Sequence, residues 1–262
     1  MLISSVAFSI LMIAGPQGRL HVDDGGRGRA VPVVFVHGNG ANLEQWRAQL
    51  DHVRRSRRAI AFDLRGMGKS DLPANGDYSV AAMSDDVGAV ANALHLKRFV
   101  LVGHSYGGAV VAQYAAKHPE RVAGVLYADA GGNVNISDEV AAKFFAAMRK
   151  DKNKFVRQWF APILKGSPAE VQNAVFESED NTPADVIANA LDGLRHIDMV
   201  ELVNAYRGPK LAIAAVDIES ASSLHKQMPD LPVKAISGTG HWLMMDKPDA
   251  FNAILDSFLN AL

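Results

Sequence analysis

The chain has 262 residues, of which 48% are hydrophobic and 21% are charged, and its formal net charge is −1. This length and composition suit one large domain with a substantial buried core. The nearly neutral balance argues against a nucleic-acid or anionic membrane surface as a partner. The sequence contains no cysteine, which excludes disulfides, a thiol nucleophile and zinc–thiolate sites.

The chain begins with an apolar run at residues 2–14 that resembles the core of a signal peptide. It has no basic region before it and no small-x-small cleavage site before Pro16, and it is too short to cross a bilayer. We therefore expect a strand here, a second strand at residues 19–23, and a soluble, cytoplasmic protein with no membrane partner.

Four continuous apolar runs follow, at residues 31–36, 59–62, 99–102 and 122–128. Helix-like segments separate them, the clearest at residues 79–94 and 108–116. Continuous runs that alternate with helices are typical of a parallel sheet covered on both faces, so we predict an α/β fold. Ligands of such sheets bind at the carboxyl ends of the strands. The polar residues at those ends are His37, Asp63, Ser105 and Asp129.

From residue 133 to residue 207 the pattern is helical, with segments predicted at 140–148, 155–164, 168–176 and 184–206. Strands resume at residues 211–216 and 233–237, and a helix at 248–259 closes the chain. We predict a core of residues 1–132 and 208–262, interrupted by a small helical cap of residues 133–207.

One turn, Gly103-His104-Ser105-Tyr106-Gly107, joins a predicted strand to a predicted helix. Glycine on either side removes the Cβ atoms that would clash where the strand and the helix meet. The turn should hold Ser105 in a strained conformation at the sheet edge, at the positive end of the helix. We predict that Ser105 is a nucleophile.

A serine hydroxyl needs an adjacent base, and His241 is the candidate because it follows a strand through Gly238-Thr239-Gly240. His225 and His196 lie in helical patterns, where a solvated histidine is the simpler interpretation. His104 should point away from Ser105 and help to fix the turn.

The orienting acid has three candidates, Asp217, Asp129 and Glu219. We predict Asp217, because it ends the strand immediately before the one that delivers His241 and gives the order Ser105, Asp217, His241. Asp129 precedes Ala130-Gly131-Gly132, which we interpret as the exit into the insertion.

Acyl transfer also needs donors for an oxyanion. We predict the backbone N–H groups of Tyr106 and Asn39. The insertion carries aromatic residues that should roof the serine and favour short acyl chains, namely Phe144, Phe145, Trp159, Phe160 and Phe176.

Together these residues resemble the α/β-hydrolase fold family. The matching motifs span nearly the whole chain: His37-Gly38, Asp63-x-Arg65-Gly66-x-Gly68-x-Ser70, the serine turn, Asp217 and Gly240-His241-Trp242. The resemblance implies a mostly parallel sheet with helices on both faces, a cap inserted before the penultimate strands, and catalysis without cofactor or metal. The stretch 63–70 is similar to a structural turn of the family.

Within the family, the chain resembles small serine carboxylesterases and cofactor-free perhydrolases, also called non-haem haloperoxidases. The expected activity is cleavage of small carboxylic esters through an acyl-enzyme. Perhydrolysis and carbon–carbon bond hydrolysis by the same residues are alternatives, although the cap arginine of carbon–carbon hydrolases cannot be placed. A ligand-binding receptor on the same fold is the alternative of another class. The sequence does not indicate an oligomeric state.

Overall fold

The computed structural model describes residues 8–218 and 220–262. Its strands are β1 (Phe8–Ala14), β2 (Arg19–Gly25), β3 (Val33–Val36), β4 (Ala59–Phe62), β5 (Phe99–His104), β6 (Val122–Ala128), β7 (Lys210–Ala215) and β8 (Val233–Ile236). They form one sheet in the order β1-β2-β4-β3-β5-β6-β7-β8. Strands β3 to β8 pair in parallel, while β2 is antiparallel to both β1 and β4. The predicted, mostly parallel sheet is confirmed.

The strand expected at residues 2–14 is present from Phe8 as β1, and residues 1–7 lie outside the described part of the chain. The α-helices are α1 (Arg47–Val53), α2 (Val80–Ala93), α3 (Tyr106–Lys117), α4 (Asp138–Lys150), α5 (Lys152–Phe160), α6 (Ala169–Asn181), α7 (Ala184–Gly193), α8 (Met199–Ala205), α9 (Leu224–Gln227), α10 (Leu243–Asp246) and α11 (Pro248–Asn260).

The single helix predicted at residues 184–206 is wrong. The chain forms α7, a 3-10 turn at Leu194–His196 and then α8. The second helix starts anew because the side chain of Asp198 accepts the N–H of Glu201 at 2.9 Å, which is an N-cap.

Both faces of the sheet are buried, as the continuous apolar runs require. In β3, Val34 and Val36 pack into one hydrophobic layer, while Val33 and Phe35 pack into the other. The first layer includes side chains of α2, α3 and α8, and the second includes those of α1, α10 and α11. All four β3 residues are buried because each face is covered by helices.

Residues 133–207, called the insertion from here on, carry α4 to α8 and join β6 to β7. Met199 and Val203 of α8 belong to the first sheet layer, and Phe160 and Val175 belong to the second. A smaller cluster joins α4 to α7. The insertion therefore packs against both layers, and its division from the core as a separate cap stays a prediction.

In the described part of the chain, none of the helices combines the length and the apolar character needed to span a bilayer.

Candidate active site

Ser105 occupies a strained turn between β5 and α3. Its backbone has φ 51° and ψ −118°, a conformation that non-glycine residues rarely adopt. A Cβ on Gly103 would lie 2.4 Å from the carbonyl oxygen of Gly107, and one on Gly107 would lie 2.4 Å from that of Val36. The glycines are therefore needed for the close approach of α3 to the sheet, and Ser105 itself lines a cavity of about 560 Å³. This conformation is the one predicted from the sequence.

The two predicted oxyanion donors border the same cavity as Ser105. Tyr106 is the first residue of α3, so its N–H has no acceptor within the helix. Among the described residues, neither its N–H nor that of Asn39 donates to another backbone carbonyl. The Asn39 side chain donates to the carbonyl of Ile187 at 3.0 Å, which ties this loop to the insertion. Two unengaged N–H groups near one serine suit an oxyanion hole, and that role stays a prediction.

His37 supports the loop that carries Asn39. The N–H of Leu64 donates to Nε2 of His37 at 2.9 Å, and Nδ1–H of His37 donates to the carbonyl of Gly38 at 2.7 Å. Burial lowers the pKa of His37, although the nearby Asp63 carboxylate raises it and so offsets part of this effect. His37 is therefore a neutral, structural histidine with a defined tautomer.

Asp63 anchors the turn at residues 63–70. Its carboxylate accepts the backbone N–H groups of Leu43 at 2.7 Å and Lys69 at 2.8 Å, and lies 2.8 Å from Nδ1 of His21. A Cβ on Gly68 would lie 2.3 Å from this carboxylate. These contacts agree with the structural interpretation of the turn.

His241 contacts a carboxylate at the edge of the sheet. Its Nδ1–H donates to Oδ2 of Asp129 at 2.6 Å, and both side chains are mostly buried. The other carboxylate oxygen of Asp129 accepts the N–H of Ala215 at 3.1 Å. With Nδ1 engaged, Nε2 of His241 is the nitrogen available to a group in the cavity that it shares with Ser105.

The expectation that Asp217 would contact His241 is wrong. Asp217 is exposed, and its carboxylate accepts the N–H of Gly238 in the turn after β8. Asp129 reaches the histidine because its backbone turns sharply after β6, with φ 44°. The N–H of Asp129 donates to the carbonyl oxygen of Ile213 at 2.7 Å, which fixes this turn against β7. Glu219, the third candidate, lies outside the described residues.

His104 fixes the backbone of His241. Its Nε2–H donates to the carbonyl of His241 at 2.9 Å, and the two rings lie 4.7 Å apart. Its Nδ1 is buried without a partner in the described structure. Burial holds the pKa of His104 well below its usual value, and the neighbouring His241 lowers it further. His104 is thus a neutral support beneath the candidate base, a contact that the sequence pattern did not show.

The cavity has a volume of about 560 Å³ and is lined mainly by apolar side chains from the core and the insertion. Four of the five aromatic residues predicted to roof Ser105 line it, namely Phe144, Phe145, Trp159 and Phe160. Phe176 is not among the lining residues, and its ring lies under the guanidinium of Arg157, whose central carbon is 4.9 Å from the ring centre.

Arg195 also borders the cavity, although no sequence motif marks it. It donates to Asp192 at 2.7 Å and to Asp138 at the start of α4. Its Nε is buried and has no partner among the described residues. Arg195 therefore brings a guanidinium that is paired with two carboxylates to the edge of the cavity.

The insertion is hydrogen-bonded to the loop that carries His241. The N–H of His241 donates to the carbonyl of Ile163 at 2.8 Å. Asp246 accepts the N–H of Gly240 at 2.7 Å and the hydroxyl of Ser167 at 2.9 Å. The position of the candidate base thus depends on the insertion.

A second set of contacts joins the insertion to the Asn39 loop. The hydroxyl of Thr182 donates to the carbonyl of Gly40 at 3.2 Å. The carboxyl of Glu179 occupies the space beside Gly40, since a Cβ there would lie 2.2 Å from Oε2 of Glu179. Burial raises the pKa of Glu179 to about 8, so this carboxyl is mostly protonated at neutral pH.

Among the described residues, no group of three or more His, Asp or Glu side chains is arranged to hold a metal ion.

Comparisons with known proteins agree with this geometry. A family model described as "alpha/beta hydrolase fold" matches residues 31–248. The chain is 26% identical to 2-hydroxymuconate semialdehyde hydrolase of Pseudomonas sp. (strain CF600), over 95% of this chain and 92% of that protein. It is 26% identical, with a TM-score of 0.80, to the structure of an N-acyl homoserine lactone degrading enzyme, covering 95% of this chain and 100% of that one.

Another solved structure shows the fold alone. The esterase of Exiguobacterium antarcticum has a TM-score of 0.84 at 20% identity, covering 96% of this chain and 100% of that one. The family match, the sheet order and the strained serine turn lead to one conclusion. The chain is a hydrolase that belongs to the alpha/beta hydrolase fold family.

Proposed function

We propose that the protein is a serine hydrolase that cleaves carboxylic esters through an acyl-enzyme, with Ser105, His241 and Asp129 as its catalytic residues. The observation that carries this proposal is the 2.6 Å contact between His241 and Asp129 beside the cavity that Ser105 lines. A serine on a strained turn, a histidine and a buried carboxylate are the parts that acyl transfer needs.

Each group has a defined part in the reaction. Nε2 of His241 takes the proton of the Ser105 hydroxyl as its oxygen attacks the ester carbonyl carbon. The oxyanion that forms accepts the N–H groups of Tyr106 and Asn39. His241 then protonates the departing alcohol, and the acyl group stays on Ser105. Asp129 holds the histidine in the productive tautomer and stabilises its charged form.

Water completes the cycle. His241 removes a proton from water, the hydroxide attacks the acyl carbon, and the carboxylic acid leaves as Ser105 recovers its proton. Water is the only second substrate in these steps. Asp129 here replaces Asp217 of the sequence-based prediction, while Ser105, His241, Tyr106 and Asn39 keep the roles proposed for them.

The most direct experiment combines labelling with turnover. The protein is treated with a fluorophosphonate, the adduct is mapped by mass spectrometry, and hydrolysis of p-nitrophenyl acetate is followed. We expect the adduct on Ser105 and loss of turnover in Ser105→Ala. The control is Ser222→Ala, because Ser222 also lines the cavity. Turnover that survives in Ser105→Ala, or ligand binding without any turnover, would reject the serine hydrolase in favour of another nucleophile or a receptor.

Carbon–carbon bond hydrolysis is a second candidate, and the position of Arg195 favours it. Arg195 borders the cavity, where its guanidinium could bind a carbonyl or carboxylate oxygen of a keto acid. A relative at 26% identity is a 2-hydroxymuconate semialdehyde hydrolase. Incubation with a dienol ring-cleavage product and loss of its absorbance would test this activity. If the protein turns over this product, Arg195→Met should raise KM with little change in kcat. No turnover of the product by the wild-type protein would exclude carbon–carbon bond hydrolysis.

A further inference from the structure

The aromatic side chains of the cavity form a continuous path that begins at His241. Successive ring centres are 5.1 Å apart from His241 to Trp242, 5.2 Å to Phe160, 5.0 Å to Trp159 and 5.3 Å to Phe144. All five residues line the cavity. The path therefore leads from the proposed base to α4 of the insertion without an intervening polar side chain.

The outer end of this path is an apolar rim formed by Ile136 and Val140. Val140 precedes Phe144 by four residues in α4, so the two side chains lie on the same face of the helix. Val140 is 53% exposed and Ile136 is 40% exposed, yet both line the cavity. The other large hydrophobic residues exposed in the described structure do not line it, namely Ile10, Met12, Leu72, Val233 and Leu262.

We propose that the preferred substrate carries a long apolar chain on its ester group, which lies along the aromatic path and leaves the cavity over Ile136 and Val140. The inference rests on the proposed ester hydrolysis and adds the class of substrate. Single exposed aliphatic residues need no explanation, but these two continue an apolar wall that starts at the reacting groups. A bound chain would remove both from water.

The same geometry argues against the short-chain preference expected from the sequence. Four of the predicted aromatic residues share the cavity with Ser105, but they stand along a path instead of closing the cavity behind it. Phe144 meets Phe155 and Trp159 edge to face, at interplanar angles of 87°. This packing holds the path together from the side, and the exposed rim leaves its end open to solvent. Arg195 and Asp138 form an ion pair near the start of α4, so the chain is expected to follow the apolar side of the mouth.

The test is a chain-length series with two homologous sets of substrates, p-nitrophenyl esters with acyl chains of two to twelve carbons and alkyl acetates of the same lengths. A buried methylene increases kcat/KM by about fourfold at most. In one of the two sets, kcat/KM should therefore rise on the order of a hundredfold or more as the chain lengthens from two to ten carbons. A flat or falling profile in both sets would overturn the inference. If no ester is hydrolysed at all, the proposed function fails first.

The rim is tested by Val140→Asp. Position 140 lies in the first turn of α4, where the N–H of Val140 donates to the Ser137 hydroxyl, so an added carboxylate suits this helix end. We expect the ratio of kcat/KM for the ten-carbon ester to that for the two-carbon ester to fall about tenfold. Leu72→Asp is the matched control, since Leu72 is 59% exposed and lies away from the cavity, and it should keep the ratio. An unchanged ratio in Val140→Asp would show that the chain does not cross this rim.

Discussion

Replacing Glu179 by glutamine tests the buried carboxyl that lies beside the Asn39 loop. Glu179 is only 2% exposed, and its Oε2 has no partner among the described residues. The ammonium group of Lys152 donates to the backbone carbonyl of Glu179 at 2.8 Å. Desolvation outweighs the attraction of Lys152, and the neighbouring Asp180 acts in the same direction as desolvation, so the pKa of Glu179 rises from 4.5 to about 8.

The expected magnitude follows from this shift. Between these two pKa values the unfolded carboxyl is ionised while the folded carboxyl keeps its proton, so the folded state binds more protons. The free energy of unfolding therefore falls as pH rises, by up to about 1.4 kcal/mol per pH unit. Glutamine cannot ionise. The stability of Glu179→Gln relative to wild type should thus increase with pH, by about 4 kcal/mol at most from pH 5 to pH 8.

Urea denaturation at pH 5, 6, 7 and 8 measures this difference. Glu177→Gln is the matched control, because Glu177 lies on the same helix with its side chain exposed. Its stability difference from wild type should hardly change over this pH range. A Glu179→Gln difference that is equally independent of pH would refute the burial argument.

Four other substitutions test the site and its supports. Asp129→Asn should lower kcat by on the order of ten-thousandfold, as loss of the orienting acid does in a serine protease, while Asp217→Asn should keep most activity. Steady-state kinetics on a p-nitrophenyl ester measure kcat for both variants. A greater loss of kcat in Asp217→Asn would identify Asp217 as the orienting acid. Gly107→Ala should destabilise the fold by more than about 1 kcal/mol in urea denaturation, because its Cβ would meet the backbone of Val36; equal stability would contradict the close approach. His104→Leu should cost about 1–3 kcal/mol by the same measurement, since the carbonyl of His241 loses its donor, and a smaller loss would mean that water replaces it.

Much of the fold was predictable because its signals are local. The continuous apolar runs of β3 to β6 reflect a sheet buried on both faces, and each prediction agreed with the structure within a few residues. The strained serine turn was predictable for a similar reason, since the glycines at 103 and 107 are the residues that steric contact requires. Position, residue type and neighbouring elements together pointed to Ser105.

The choice of acid was not predictable from the same signals. Both Asp129 and Asp217 follow strands of one parallel sheet, so both begin at the same edge. Their difference lies in one backbone turn, the positive φ of Asp129, which directs its carboxylate toward His241. The two glycines after Asp129 indicated a change of direction but not where the side chain would point.

The break between α7 and α8 was missed for a related reason. Apolar spacing continued through residues 194–198, while the cap at Asp198 depends on one side-chain hydrogen bond. Contacts between distant residues, such as that of His104 with the His241 carbonyl, leave no periodic pattern in the sequence.

The bonds from the insertion to the two site loops bear on how new specificities could be built on this scaffold. The carbonyl of Ile163 accepts the N–H of His241, and the carbonyl of Ile187 accepts the side-chain amide of Asn39. The hydroxyl of Thr182 donates to the carbonyl of Gly40. A chimaera that received the insertion of a relative would lose these partners along with the old pocket wall. Its turnover would fall even on substrates that fit the new pocket, and grafts that retain these three contacts should keep the chemistry while changing the substrate.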